Sequence, residues 1–308
     1  MDILVLENFL SSSVRMATPL LIAALGLSIS ERSGVINIGV EGIMLMAAFG
    51  AYVGAKLLGS YWMGLLVGIL FALLTILAFA IPTITYKANQ VIVGTAINIL
   101  STGLSSFLYR WIFYGTGRLD EGIAAVTFPT IGIPGLSKIP VLGKMLFSHN
   151  LIVYFGLVMT VILWVLIYKT SLGLKITAVG DHPKAAESVG INVIKVRYLS
   201  VLFSGVLIGV AGTFLSIAQS SSFGEGMTAG RGFIAMAVII LGKWNPLGAL
   251  GGALVFGAAS ALQMFFQTLG VEVPTNLIMM VPYVATVIAV LLLSRHKVGA
   301  PRSLGVPY

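Results

Sequence analysis

A carboxylate and a carboxamide stand in a glycine-broken stretch between two long apolar runs, where they could carry polar chemistry inside a membrane. Gly34, Gly39 and Gly42 bracket the two side chains, which are Asn37 and Glu41. Irregular backbone at membrane depth is tolerated only where it is buried in protein or lines a water-filled path. The stretch therefore predicts one wall of a translocation pathway, with Asn37 and Glu41 as its polar residues.

Two interpretations of Glu41 are left open by the sequence. A carboxylate about five residues inside a span lies roughly 8 Å along the helix axis, where an unpaired charge is costly. The side chain can face the protein interior or an aqueous path, in which case it acts on transport. It can also cap or pair locally near the membrane interface, with Arg32 as the nearby cation.

A second polar set lies in a later apolar run. Asn98, Ser101 and Ser105 follow helical spacing and share one face of the predicted helix. They could line a polar conduit, and we include them among the pathway residues. Serine and asparagine also join helices in lipid through hydrogen bonds, so packing is the alternative role for each.

No set of residues typical of an enzyme is present. The chain contains no GxxxxGK(S/T), HExxH or GxSxG motif, and its three histidines are far apart in loops or tails. Without cysteine it has neither a disulfide nor a thiolate metal site. We therefore expect no catalytic residue, no metal and no cofactor.

The elements that must position these residues are membrane helices. The chain is 58% hydrophobic and 9% charged, with a mean hydropathy of +1.03, whereas soluble domains are roughly a quarter charged. Apolar runs of about 20 residues predict an all-α integral membrane protein. We expect one transmembrane domain over residues 1–308, a polytopic bundle of about eight or nine spans with broken or re-entrant segments.

Polar and glycine-rich breaks delimit the predicted spans. A short piece at 233–241 is too brief to cross alone, so it must borrow flanking residues or re-enter. The full-length spans are expected at 9–30, 42–58, 61–85, 91–113, 151–168, 198–218, 247–266 and 277–293.

Basic residues in the loops predict the orientation. Placing 169–197 in the cytoplasm puts 11 Lys and Arg inside and 6 outside, and the inverted arrangement reverses this ratio. We expect an external N-terminus, an external loop at 114–150 and a cytoplasmic C-terminus in the cell (inner or plasma) membrane. The net charge of +8 then reflects retained basic loops, and no nucleic-acid partner is expected.

Segment 169–197 is the longest polar stretch that joins two spans, and it contains a compact helix signal. Asp181 and His182 can cap this helix, and Pro183 suits its first position. Ala185, Ala186 and Glu187 favour its continuation, and Gly190 ends it. On pattern alone, the segment could also be a solvated loop that only preserves the topology.

Four motifs in order resemble one family over nearly the whole chain. Residues 31–42, ERSGVINIGVEG, resemble the permeases of ATP-binding-cassette (ABC) importers for nucleosides and simple sugars, which are related to ribose and branched-chain amino-acid permeases. The ribose-type members carry an extra span before the first one here, a difference that fits the external N-terminus. The three other motifs are GLKITAVGDHPKAAESVGINV (173–193), FSGVLIGVAGTFLS (203–216) and GFIAMAVIILGKWNPLGALGG (232–252).

This resemblance implies a permease subunit that hydrolyses nothing itself. A cytoplasmic ATP-binding subunit would dock on the 181–190 helix, through Asp181, Pro183, Ala185, Ala186, Glu187 and Gly190. It also implies an external substrate-binding lipoprotein and a second permease subunit that completes a heterodimer. The sequence of residues 31–42 is closest to that of purine or pyrimidine nucleoside importers, ahead of importers for simple sugars and branched-chain amino acids.

The serious rival from another class is a proton-coupled secondary transporter. Broken helices and a buried carboxylate would suit it equally well. The capped helix within 169–197 separates the two classes, because an ATP-driven permease requires such a helix and a secondary transporter does not. The other connections on the same side, around Arg32, Lys87 and Lys243, are too short to hold a docking helix.

Overall fold

The computed structural model describes residues 3–113, 127–132, 134, 142–268, 280, 284 and 299–308. Almost all of the regular structure within them is helical. The helices are α1 (Ile3–Arg32), α2 (Val40–Leu58), α3 (Tyr61–Ala80), α4 (Gln90–Phe113), α5 (Leu142–Leu146), α6 (Leu151–Lys169), α7 (Ser171–Asp181), α8 (Pro183–Ser188), α9 (Val193–Thr213), α10 (Arg231–Leu241) and α11 (Pro246–Thr268).

Two helices continue as π-helical turns, α3 over Ile81–Thr85 and α9 over Phe214–Ser220. The predicted loop 114–150 contains, in its described part, two short strands, β1 (Thr130–Gly132) and β2 (Ser148–Asn150). These strands pair antiparallel, with Thr130 opposite Asn150. The Asn150 side chain then accepts a hydrogen bond from the Val153 N–H and begins α6.

Seven helices in the described part of the chain are long and apolar enough to cross a membrane: α1, α2, α3, α4, α6, α9 and α11. This confirms the all-α polytopic bundle. Helix α10 has 11 residues, so the short predicted piece at 233–241 is indeed too short to cross alone. The last predicted span, 277–293, lies outside the described residues except for positions 280 and 284.

Helices α1, α2 and α9 form the centre of the bundle. In these three helices 78–83% of an 18-residue apolar stretch is buried, whereas the corresponding share is 22–33% in α3, α4, α6 and α11. Close approach requires small residues where the central helices meet. A Cβ added to Gly26 of α1 would lie 2.9 Å from the backbone oxygen of Ser204 in α9. The outer helices surround this core and turn apolar side chains outward, as lipid-facing helices do.

The segment between α6 and α9 contains two helices where the sequence predicted one. Asp181 is the last residue of α7, and α8 begins at Pro183 without any side-chain cap. The expected capping by Asp181 or His182 is therefore wrong. The predicted start at Pro183 is confirmed, and so is the stop at Gly190, whose φ of +83° suits glycine.

Candidate functional site

The centre of the site is a contact between Glu41, at the head of α2, and the N-terminus of α10. One carboxylate oxygen accepts a hydrogen bond from the Gly230 N–H at 2.8 Å, and the other accepts from the Gly232 N–H at 2.7 Å. The first N–H groups of a helix lack partners within the helix and carry its positive dipole end. Glu41 thus supplies both the acceptors and the negative charge that this half-length helix needs.

Glycine at position 232 is what permits this approach. A Cβ added to Gly232 would lie 2.7 Å from the Glu41 Cα and 2.8 Å from one of its carboxylate oxygens. Gly230 has a φ of +81°, which turns its N–H toward the carboxylate at little conformational cost. The glycine-broken stretch before α2 therefore meets the glycine-containing start of α10 at this point.

The position of this contact can be given as a distance along the neighbouring helices α4 and α10. The Ile36 N–H donates to the side chain of Gln90, the first residue of α4, and the Gly42 N–H donates to Asn98. Eight residues of α4 separate these contacts, about 12 Å at 1.5 Å per residue, and the whole of α10 measures about 16 Å. The hydrogen bond beside Glu41 therefore lies about 12 Å along α4 from the first residue of that helix.

Asn98 satisfies the backbone of the first break. Its Oδ1 accepts from the Gly42 N–H at 2.8 Å, and its Nδ2 donates to the Ile38 carbonyl at 2.9 Å. A single carboxamide thus replaces hydrogen bonds that the interrupted α2 cannot make for itself. Of the predicted polar residues, Asn98 thus joins this break to α4, and Glu41 joins it to the start of α10.

The remaining predicted pathway residues are buried in this structure. Ser101 and Ser105 have exposed fractions of 2% and 0%, and a Cβ on Gly42 would lie 2.7 Å from the Ser101 Oγ. Asn37 is completely buried, and neither polar atom of its side chain has a hydrogen-bond partner within the described residues. Ser101 lies against α2 and Ser105 donates to the Thr102 carbonyl within α4, whereas Asn37 is an unpaired carboxamide inside the break.

The alternative pairing of Glu41 with Arg32 is wrong. Arg32 Nε donates to the Trp244 carbonyl at 2.9 Å, and its Nη2 donates to the Tyr168 hydroxyl at 2.7 Å. The Trp244 indole N–H in turn donates to the buried carboxylate of Glu31 at 2.5 Å. The sequence did not predict this cluster. Its one local signal was the pair of adjacent charges, Glu31 and Arg32, at the end of the first span.

A further link holds the loop between α9 and α10. Arg110 Nε and Nη2 donate to the two Glu225 carboxylate oxygens at 2.8 and 3.0 Å. These hydrogen bonds lower the pKa of Glu225. Two residues earlier, the Phe223 ring packs at 5.2 Å from Tyr109 and 5.5 Å from Phe49, so both ends of this loop are anchored to α2 and α4.

Helix α8 presents only some of its predicted docking residues. Ala185 and Glu187 are exposed, but Ala186 is 97% buried and packs in a small cluster with Val179 and Val193. The two alanines therefore differ, because only Ala185 is available to a partner. The exposed face also includes Val189, an apolar side chain with 75% of its surface accessible.

These features agree with the comparisons to known proteins. The model of the family described as "branched-chain amino acid transport system / permease component" matches residues 9–291. The chain belongs to this permease family. The permease also resembles a chain of the PsaBC–Fab structure from Streptococcus pneumoniae, with a TM-score of 0.50, 18% identity and coverage of 98% of this chain and 94% of that one. This structural likeness concerns the fold alone.

Three curated relatives are ABC transporter permeases by name. A guanosine permease of Bacillus subtilis is 38% identical and covers 100% of this chain and 98% of its own. A nucleoside permease of Lactococcus lactis is 36% identical, covering 98% and 97%. A protein of Haloferax volcanii that is provisionally named a glucose permease is 39% identical, covering 87% and 80%. Such subunits form the membrane part of a transporter and are not enzymes.

Proposed function

We propose that this permease forms the translocation pathway of an ABC importer for purine or pyrimidine nucleosides. The observation that carries the proposal is the meeting of two interrupted helices at Glu41, deep in the bundle. Discontinuous helices at mid-membrane depth are typical of substrate pathways. The names of the guanosine and nucleoside permeases, which match this chain nearly end to end, support a nucleoside as the substrate.

A simple sugar is the second candidate substrate. The glucose permease name belongs to a relative with a similar identity of 39%, although that protein covers less of the chain. Branched-chain amino acids have only the family description in their favour. A proton-coupled carrier is disfavoured because Glu41 already uses both carboxylate oxygens for backbone N–H groups.

The partners follow from this function. Permeases of this kind work with an ATP-binding subunit and a second permease, and we propose a heterodimer here. We also propose that α8 receives the ATP-binding subunit through its exposed face at Ala185 and Glu187, with an external lipoprotein that delivers the substrate. Asn37, Glu41 and Asn98 would form the polar wall of the pathway.

The orientation can be tested in this cysteine-free chain. Lys144 and Lys184 are both exposed, and they lie in the connections between α4 and α6 and between α6 and α9. We expect an impermeant maleimide to label Lys144→Cys in intact cells, and to label Lys184→Cys only after permeabilisation, because basic loops are retained in the cytoplasm. Labelling of Lys184→Cys in intact cells would reverse the proposed topology.

The substrate can be tested with the complete complex in proteoliposomes. Guanosine, adenosine, cytidine or uridine, with the binding lipoprotein, should raise ATP hydrolysis by at least about fivefold, the lower end of typical coupling between two sites. Ribose, glucose and leucine serve as matched controls and should leave hydrolysis at its basal rate. Stimulation by a sugar and by no nucleoside would replace the proposed substrate with the second candidate.

A further inference from the structure

The segment 299–308, here named the strap, lies across two regions that the proposed function uses. One is the pair of helices α7 and α8, and the other is the break between α1 and α2. The Ser303 N–H donates to the Gly180 carbonyl at 2.9 Å, and the Gly305 N–H donates to the Gly34 carbonyl at 3.1 Å. Two residues of the strap thus join the end of α7 to the first glycine of the break.

The strap also contacts the residues around α8 directly. The Arg302 N–H donates to the Asp181 carboxylate at 3.2 Å, and the Arg302 guanidinium lies 3.2 Å from the His182 Nε2. The Tyr308 hydroxyl donates to the Glu187 carboxylate. This hydrogen bond raises the pKa of Tyr308.

Helix α8 needs such support. It has six residues, and isolated helices this short are unstable in water. Its apolar anchor is the small cluster of Ala186 with Val179 and Val193. The strap adds to this anchor, because Tyr308 packs against the same cluster while its hydroxyl donates to Glu187.

A buried arginine completes the connection. Arg197 in α9 is only 2% exposed, and its Nη1 donates to the Val306 carbonyl at 3.3 Å. Its guanidinium carbon lies 5.7 Å from the centre of the Tyr308 ring, a cation–π distance. A Cβ on Gly34 would lie 2.9 Å from the Arg197 Nη2, so strap, arginine and break pack as one unit.

We propose that the strap is a positioning element that ties α8 to the α1–α2 break, so that displacement of α8 by the ATP-binding subunit also displaces the break. This inference rests on the proposed docking role of α8. Gly34 and Glu41 are seven residues apart in the same interrupted segment. Motion applied to the strap would therefore reach the pathway through a short, hydrogen-bonded route.

The test uses the reconstituted complex of both permeases, the ATP-binding subunit and the binding lipoprotein, with guanosine as the probe. Tyr308→Ala should leave the ATP-binding subunit bound at normal stoichiometry. Uptake per ATP hydrolysed should fall by about tenfold, as expected for loss of a hydrogen bond to a charged group. Val306→Ala is the matched control, since it trims an exposed side chain of the strap and keeps the backbone carbonyl.

A cross-link distinguishes a strap from a segment that must detach during transport. The double variant His182→Cys with Arg302→Cys removes the contact between these two side chains and leaves Ala185 and Glu187 unchanged, so it should be uncoupled like Tyr308→Ala. Joining the two thiols with a short bifunctional maleimide should restore uptake per ATP, because it attaches the strap again. The chain has no other cysteine with which the reagent could react. If the cross-link forms but uptake per ATP stays low, the proposal is overturned.

Two other results would also overturn it. Normal coupling in Tyr308→Ala would show that the strap transmits nothing. Loss of the ATP-binding subunit from Tyr308→Ala would make the strap part of the docking surface instead. Failure of the underlying docking role is recognised separately, because Ala185→Arg would then leave both subunit association and uptake intact.

Discussion

Ala185→Arg is expected to abolish association of the ATP-binding subunit and to reduce uptake to background. Ala185 is exposed on α8, where a small side chain permits close approach of a partner surface. An arginine there introduces a long side chain and a charge that would have to be desolvated in the interface. Because α8 lies between two spans and contributes little to the core of the bundle, the permease should still insert and pair with the second permease.

Co-purification from detergent, followed by uptake in proteoliposomes, measures both effects. Ala185→Ser is the matched control, since it keeps a small side chain, and it should retain normal subunit association. Ala186→Arg is unsuitable for this purpose, because Ala186 is 97% buried with Val179 and Val193 and the change would disrupt α8 itself. An Ala185→Arg permease that binds the ATP-binding subunit and transports normally would remove α8 from the coupling mechanism.

The contrast between these two alanines illustrates what sequence can predict here. Helix α8 was predictable from Pro183 and Gly190, because a helix start and stop depend on local backbone preferences. The inward face of α8 was not, because a six-residue helix has too few turns to establish an apolar period. Asp181 looked like a cap, but its carboxylate accepts from Arg302, a residue 121 positions later.

The pathway residues show the same division between local and distant information. The spans were predictable because length and hydropathy are properties of continuous segments. The glycine-flanked setting of Glu41 marked it as a polar residue at depth, but its partners Gly230 and Gly232 are about 190 residues away in the chain. Nothing in the pattern around Glu41 distinguished these backbone donors from the nearby Arg32.

Glu41→Ala is expected to reduce uptake by about 100-fold while the permease remains in the membrane. The change leaves two N–H groups at the start of α10 without acceptors, and each unpaired buried group costs about 1–3 kcal/mol. It also removes the negative charge that complements the helix dipole, a contribution of about 0.3–1 kcal/mol. Taken near their lower ends, these contributions total about 3 kcal/mol, which corresponds to about 100-fold in the population of the transporting arrangement.

Glu41→Gln separates the charge from the shape of the side chain. The carboxamide keeps one oxygen acceptor but directs an NH₂ group at the second backbone donor, so one of the two contacts with Gly230 and Gly232 is lost. We expect insertion and subunit association to be normal and uptake to fall by about tenfold, since one hydrogen bond to a charged group is replaced by a repulsive contact.

Glu225→Gln is the control for the loss of a carboxylate as such. Glu225 lies in the loop between α9 and α10, where it forms an ion pair with Arg110 and 40% of its side chain is accessible. Exposed ion pairs of this kind contribute little to stability. Uptake by this variant should stay within about twofold of the wild type. Uptake by Glu41→Gln and by Glu225→Gln is measured in parallel across the pH range in proteoliposomes. Wild-type rates for Glu41→Gln at every pH would reduce Glu41 to a structural cap of α10, because transport would then require neither its charge nor its second acceptor oxygen.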